Sequence, residues 1–343
     1  MTNLKSNATL QRLLDANRRF DLNGRGTTNH CPMALTALAA MGATPERLER
    51  FFAHWERRYA LTLEDHTPLA RDAWYEAVGK PDLFCAARDC FADWIAQDGI
   101  EPVMRDIIAR ISFAPATGAF HALIRLAYGL EAANNSEIGA GLAALACGRL
   151  AIDISLEGRG PAPSVQHGLA RLARSMQGTK IEGTWIAPRL RAVAQMQSFR
   201  AVLPGLPQDQ DLLAALRAAA LALYWQTDDF IALHMVTGVH AARIVLSRLP
   251  QELAQACLAE LWPAFCAAYV TIGAPPLQDP RTEPAEEDWP ALFALAAASS
   301  DDHDIKLAYT CFEENRISPS SLYYTAASRR LAVREVSAAG SVR

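Results

Sequence analysis

Residues 44–59 read TPERLERFFAHWERRY and carry the clearest structural signal in the chain. Large apolar side chains recur there at intervals of three and four, so they share one face of an amphipathic helix. These side chains are Leu48, Phe51, Phe52, Trp55 and Tyr59. The opening Thr-Pro-Glu supplies a capping hydroxyl, a proline in the first turn and an acid at the positive end of the helix. The segment predicts a helix that packs by one face against a core.

The same helical spacing continues outward in both directions, whereas alternating strand patterns are scarce. Further helix starts are predicted at Ser136-Glu137 and at Asp301-Asp302. Gly- and Pro-rich breaks fall at 158–163, 203–207 and 273–284. We therefore predict an all-α fold from about Thr9 to Ala332, with no sheet larger than a short hairpin. Residues 156–188 are the least regular stretch.

The length of 343 residues allows one large core, because a helical body of this size buries roughly three quarters of its unfolded surface. We predict a single compact helical domain over residues 1–332, with a buried cavity for a metal and a substrate. The small, polar residues 333–343 are predicted to form a flexible C-terminal tail.

Charge and cysteine content exclude several classes of protein. A net charge of -4 provides no basic footprint, so no nucleic-acid partner is expected. The seven cysteines are odd in number and scattered, which is typical of reduced thiols in the cytoplasm. The N-terminus lacks the apolar core of a signal peptide, and no uninterrupted apolar run reaches about 18 residues. We expect a cytoplasmic protein that does not enter a membrane.

Four histidines lie in contexts that core packing alone would not select. His30 precedes a helix whose first turn Pro32 favours, while His121 and His234 lie in long apolar stretches, where an unpaired imidazole is costly to bury. His303 is followed by Lys306 one helical turn later. Neutral imidazole is a common ligand of iron, zinc and copper, so the sequence predicts a buried metal site. The predicted metal ligands are His30, His121, His234, His303 and Lys306.

The pair His303 and Lys306 has two interpretations. Residues three apart project from the same helical face, which allows both to be ligands. The flanking acids Asp301, Asp302 and Asp304 are also good first-turn residues that are normally solvated, which would make the segment an exposed helix start. Spacing alone leaves both interpretations open.

Other polar residues near these histidines are candidates for catalysis. Arg125 and Tyr128 share a helical face with His121, as members either of a buried polar ladder or of a shell that orients a metal ligand. His240 follows His234 by six residues, or about 120° around a helix, so both can hardly point at one centre. Geometry therefore makes one of them a ligand and the other a neighbour. The family resemblance described below implies that His234 is the ligand, which leaves His240 either in the substrate pocket or as a partner of a ligand. The predicted catalytic residues are His240, Arg125 and Tyr128.

Short motifs at these positions resemble the questin oxidase-like family, whose fungal members oxidatively open anthraquinone rings. They are NHCPMAL at 29–35, AYGLE at 127–131 behind His121, HMVTGVHA at 234–241 and HDIK at 303–306. The resemblance implies an oxidoreductase of secondary metabolism, with a non-haem iron, a histidine-rich shell and a carboxylated lysine as ligand. The chain is shorter than the fungal relatives and resembles a bacterial-type member.

Carboxylation of Lys306 also has a chemical basis. Burial beside a cation disfavours the ammonium form of a lysine, and a neutral amine can capture carbon dioxide as a carbamate. The modification would convert a positive charge into an anionic oxygen ligand.

The leading functional hypothesis is a mono- or dioxygenase that uses iron and O2 on a small aromatic substrate, either an anthraquinone-like polyketide or a phenolic ring. One alternative is a metal-free, Baeyer–Villiger-type oxidase with NADPH as reductant, for which no nucleotide-binding motif is visible. Another is a non-catalytic helical interaction protein whose histidines are satisfied core groups. Candidate side chains for an aromatic pocket are Trp185, Tyr224, Trp225, Phe230 and Met235.

Overall fold

The computed structural model of the protein describes residues 4–63, 66–280 and 286–340, and these are predominantly helical. The predicted all-α class is confirmed. The helices are α1 (Ala8–Asn17), α2 (Cys31–Ala40), α3 (Pro45–Tyr59), α4 (Phe84–Asp98), α5 (Ile100–Ile111), α6 (His121–Ala132), α7 (Asn135–Cys147), α8 (Val165–Met176), α9 (Ile186–Gln195), α10 (Gln197–Val202), α11 (Leu212–Thr227), α12 (Phe230–Leu246), α13 (Gln251–Thr271), α14 (Trp289–Ala298), α15 (Asp302–Ile317) and α16 (Ser321–Gly340). Three short strands are β1 (Phe20–Gly24), β2 (Thr27–Thr28) and β3 (Ala60–Thr62), and 3-10 turns cover Leu4–Ser6, Arg71–Ala77 and Pro81–Leu83.

The helix starts follow the predicted chemistry. Thr44 caps α3 by accepting from the Arg47 amide, and Pro45 occupies the first helical position. Asp301 caps α15 by accepting from the His303 amide at 2.9 Å. α2 begins directly after His30, which places this imidazole at a helix N-terminus.

The chain divides into two compact units, and one of the points at which it passes from one to the other falls within α6. The first unit comprises Met1–Thr62, Glu131–Asn134 and Asp279–Arg343, and the second comprises Leu63–Leu130 and Asn135–Gln278. In the first unit, β1 pairs antiparallel with β2 and with β3. α2 contacts α1, α3 and α15, and its residues 31–39 are all buried, so this helix is the centre of that unit's core.

In the second unit, α7 packs against α4 and α5, and α12 packs against α11 and α13. Every residue of α7 from Ser136 to Cys147 is buried. Gly141 permits the close approach of α6, because a Cβ at this position would lie 2.4 Å from the Leu126 Cα. α12 is likewise buried from Ile231 to Ala242, so His234 lies within the core.

Some details differ from the sequence-based expectations. The described sheet has three strands rather than two, because β3, which directly follows α3, pairs antiparallel with β1. Within the irregular stretch 156–188, Ser164 caps α8, whose amphipathic pattern buries Leu169 and Leu172. Of the predicted tail, residues up to Gly340 continue α16 and residues 341–343 lie outside the described part. Tail flexibility and the single domain over 1–332 stay predictions.

α13 is the one described helix that is long and apolar enough to cross a membrane by length and composition. Within its apolar window, 61% is buried inside the protein, as in the core helix of a soluble protein. The helix is therefore weak evidence for a membrane span.

Candidate metal centre

Two histidines of the second unit face each other in its core. His121 is the first residue of α6 and His234 lies in the second turn of α12. Their Nε2 atoms are 3.1 Å apart, and their rings meet edge to face with centroids 4.7 Å apart. Both are buried, with exposed fractions of 8% and 1%. The fold thus brings together two predicted ligands that are 113 residues apart in sequence.

The other nitrogen of each ring is held by a backbone carbonyl. His121 Nδ1 donates to the Gly118 carbonyl, and His234 Nδ1 donates to the Phe230 carbonyl at 2.7 Å. A carbonyl oxygen can only accept, so both Nδ1 atoms carry hydrogen. In the neutral rings, both Nε2 atoms then present lone pairs to each other. Two lone pairs at this distance repel unless they share a cation, which can be a proton or a metal ion.

The spacing of the pair fits two neighbouring ligands of one ion. Metal–imidazole bonds of about 2.1 Å that meet at a right angle separate the two nitrogens by about 3.0 Å. Ligating histidines in proteins usually donate the remaining ring N–H to a carbonyl or carboxylate, which fixes the ring orientation. His121 and His234 satisfy both conditions.

The first unit contains a second cluster centred on Asp302. Its Oδ1 accepts from His30 Nδ1 at 2.6 Å, from Lys306 Nζ at 3.0 Å and from His303 Nδ1 at 3.1 Å. The His30 and His303 rings meet edge to face with centroids 4.8 Å apart. Asp302 Oδ1 therefore orients the imidazoles of His30 and His303 and pairs with the side chain of Lys306. The three residues Asp301, Asp302 and His303 also offer ligand atoms within 4.8 Å of one another.

Burial and charge set the protonation states of this cluster. Burial lowers the pKa of His30 to about 4, with Asp302 opposing the shift and Lys306 adding to it. His30 is therefore neutral at pH 7, which is the form that binds metals. Burial acts to raise the pKa of Asp302, but its interactions with His30, Lys306 and His303 outweigh burial and hold that pKa well below the usual range. Asp302 is therefore ionised at pH 7.

Both clusters present imidazoles in the same way. In all four rings the Nδ1 faces an oxygen acceptor, so in the neutral ring the Nε2 carries the lone pair that could bind a metal. The predicted convergence of the four histidines and Lys306 on one ion joins residues of both units and stays a prediction.

Two of the three acids at the start of α15 are not solvated, which differs from the interpretation of this segment as an exposed helix start. Asp304 is buried and accepts from Arg330 Nε at 2.7 Å and from Ser299 Oγ at 3.0 Å. Asp302 is mostly buried, with 15% of its side chain exposed. Asp302 is not among the site residues predicted from the sequence. Its position four residues before Lys306 was the available signal, because such spacing places an acid and a base side by side on a helix.

The predicted catalytic residues occupy varied environments. Arg125 forms a buried bidentate ion pair with Glu137, through Nε at 2.8 Å and Nη2 at 3.2 Å. Tyr128 is buried on α6, and His240 is fully buried with Arg243 Nη2 at 3.5 Å from its Nδ1. α12 passes Gly238 without a break, so its two histidines lie on different faces of the helix. Catalytic roles for these three residues stay predictions.

The side chains predicted to line an aromatic pocket differ in exposure. Tyr224 and Met235 are buried in the second unit, whereas Trp185 and Phe230 are 55% and 47% exposed. Phe230 packs edge to face on His234, with ring centroids 4.6 Å apart.

The family model described as Questin oxidase-like matches residues 27–311 of the 343. The chain belongs to the questin oxidase-like family. This family makes it an oxidoreductase that acts on a small-molecule substrate. The matched range includes all four clustered histidines together with Asp302 and Lys306. A search among curated proteins finds no match.

Proposed function

We propose that this questin oxidase-like protein is a non-haem iron oxygenase that oxidises an anthraquinone-like or phenolic ring with O2. The pair His121 and His234 carries the proposal, because its two Nε2 atoms lie 3.1 Å apart inside a core, a separation that suits two neighbouring ligands of one metal ion. The full ligand set that we propose adds His30, His303 and Lys306.

The donor chemistry supports iron. Imidazole nitrogens and carboxylate oxygens are the ligands of many non-haem iron oxygenases, whereas soft thiolates favour zinc, copper(I) and iron–sulfur clusters. The Asp302 cluster supplies carboxylates beside two of the imidazoles. When bound, iron supplies the dioxygen binding and the redox chemistry that oxidation of an aromatic ring needs.

The protein's own groups prepare the site. The Gly118 and Phe230 carbonyls keep hydrogen on the Nδ1 atoms of His121 and His234, so in each neutral ring the Nε2 carries the lone pair. Asp302 does the same for His30. Burial of the rings excludes water, which strengthens the electrostatic interactions at the site.

The substrate class is supported by Phe230, whose half-exposed ring packs on His234. An exposed aromatic side chain beside a buried ligand offers a surface on which a planar ring can stack, and such aromatic contacts contribute about 0.5–1.5 kcal/mol beyond burial of area. Phe230→Ala should therefore raise KM for an anthraquinone more than it changes metal content.

Lys306 has two proposed states. As an ammonium it pairs with Asp302 at 3.0 Å. As a carbamate it would supply an anionic ligand. Because this anion would face the Asp302 carboxylate, the two negative charges would repel unless a bound metal ion compensated them. Intact mass measured at neutral pH under carbon dioxide distinguishes the states by the addition of one CO2. Lys306→Arg retains the charge and cannot form the carbamate, so metal occupancy in this variant tests the ligand role.

The decisive experiment is metal analysis of purified wild-type protein and of His234→Ala, with His167→Ala as the matched control. His167 is an exposed histidine of the same unit, bonded to Ser164 Oγ at 2.8 Å. We expect iron near one equivalent in wild type and in the control, and loss of most of it in His234→Ala. Added ferrous iron should raise the melting temperature of the metal-free wild type.

Two results would reject the proposal. Wild-type protein that gains neither stability nor activity from iron would exclude a metal oxygenase. Turnover of an anthraquinone that needs NADPH and persists in His234→Ala would support the metal-free oxidase instead.

A further inference from the structure

The segment before His121 has an unusual backbone. Ser112, Phe113 and Ala114 have φ of 55°, 41° and 44°, and Gly118, Ala119 and Phe120 have φ of 58°, 58° and 70°. Five of these six are L-residues in the left-handed region, which side chains disfavour. Such conformations persist only where the surrounding structure holds them, and they cluster at functional sites.

The second left-handed turn consists of residues 118–120 and lies directly before His121. Its first residue, Gly118, accepts from the His121 backbone amide at 3.2 Å and also from His121 Nδ1. One carbonyl therefore fixes both the start of α6 and the orientation of the imidazole. The last residue of the turn, Phe120, is buried at 1% exposure, so its ring is embedded in the core.

The Phe120 ring lies against Gly238 of α12. A Cβ at Gly238 would lie 2.9 Å from Cγ, 3.0 Å from Cβ and 3.1 Å from Cδ1 of Phe120. These distances leave no room for a methyl group. Gly238 is four residues after His234, so both lie on the same face of α12.

We propose that the contact between Phe120 and Gly238 is the device that sets the distance between the His121 and His234 imidazoles. Phe120 is adjacent in sequence to one histidine, and Gly238 is one helical turn from the other. Their close approach holds the start of α6 against α12 and thereby holds the two Nε2 atoms at 3.1 Å. Phe120 and Gly238 are thus positioning residues for the metal pair, and this inference rests on the proposed function.

The test is Gly238→Ala, with Gly168→Ala as the matched control. Gly168 belongs to the same unit, and a Cβ there would also meet an aromatic side chain, at 2.8 Å from Trp262 Cζ2. Both variants should lose stability by a similar amount. Only Gly238→Ala should weaken ferrous or cobaltous ion binding, by about tenfold or more, as measured by titration and by the cobalt absorption spectrum.

A partial rescue separates positioning from general damage. Phe120→Ala in the Gly238→Ala background removes two of the three atoms that the new methyl group would meet, so part of the metal affinity should return. If Gly238→Ala fails to fold, Phe120→Ala alone takes its place, and it should weaken metal binding because the ring no longer spaces the helices.

Crystal structures of metal-free wild type and Gly238→Ala give a readout that does not depend on the metal. We expect the Nε2 separation to increase beyond 3.1 Å in the variant. An unchanged separation, or equal metal affinity in Gly238→Ala and Gly168→Ala, would overturn the inference. If wild type binds no metal but the separation still changes, the proposed function fails while the positioning role stands.

Discussion

Replacement of Asp302 by Asn tests how strongly one carboxylate organises its cluster. The change keeps the shape of the side chain and removes its negative charge. Asp302 Oδ1 then no longer neutralises Lys306 Nζ at 3.0 Å, and Lys306 is only 2% exposed. Removal of one partner of a buried ion pair costs about 3–5 kcal/mol, because the other charge stays buried without compensation.

The lower end of this range applies to Asp302, since 15% of its side chain is exposed and water screens part of the charge. We expect Asp302→Asn to reduce the free energy of unfolding by about 3 kcal/mol at pH 7. With an unfolding entropy of about 2.1 cal/mol/K per residue, this corresponds to a fall of about 4 °C in Tm. The double variant Asp302→Asn/Lys306→Met should recover much of the loss, because it removes both charges.

The assay is urea or thermal unfolding of the metal-free protein, followed by circular dichroism. The pH dependence has a defined sign. The lowered pKa of Asp302 contributes stability above its ordinary pKa of 3.8, and this contribution is lost as pH falls through the folded-state value. Equal Tm values for wild type and Asp302→Asn at pH 7, with no recovery in the double variant, would show that Asp302 does not hold Lys306 as described.

Three further predictions concern other buried ionisable groups. Burial lowers the pKa of His30 from 6.5 to about 4, so between these pH values the unfolded chain binds a proton that the folded protein does not. The free energy of unfolding should therefore fall by up to about 3 kcal/mol as the pH decreases from 6.5 to 4. His30→Gln should flatten that part of a pH–stability curve, and a curve identical to wild type would contradict the assignment. The pKa of Glu260 is raised by burial to about 7, so stability should decrease as pH rises from 4.5 to 7, and Glu260→Gln should remove this decrease in the same measurement. In the buried pair of Arg125 and Glu137, Glu137→Gln should cost about 3–5 kcal/mol, whereas Arg125→Met/Glu137→Met should cost much less; similar unfolding midpoints for both variants would argue against charge compensation.

The helical class and several helix ends were readable from local sequence because their causes are local. The cap at Thr44, the proline at 45 and the apolar face of α3 lie within a few residues of one another, and the structure has the helix as predicted. The three-stranded sheet was not readable, because β3 pairs with β1 across about 40 residues and neither strand alternates clearly. The cap at Ser164 was a local signal for α8 that the Gly- and Pro-rich surroundings obscured.

The candidate ligands were identified from residue type, since imidazoles inside apolar helical stretches are costly unless they have a partner. Their mutual geometry was not readable from sequence. The distance of 3.1 Å between the Nε2 atoms of His121 and His234 depends on the left-handed turn at residues 118–120 and on the contact of Phe120 with Gly238 of α12. Asp302 was judged by its local role as a first-turn acid, and only packing shows that it is mostly buried and bonded to His30, which lies 272 residues away in sequence. Helix formation depends on neighbours along the chain, whereas burial and the pairing of charges depend on residues that only folding brings together. The sequence therefore indicated the kinds of groups in the site. Only the packed structure determined which of these groups contact one another.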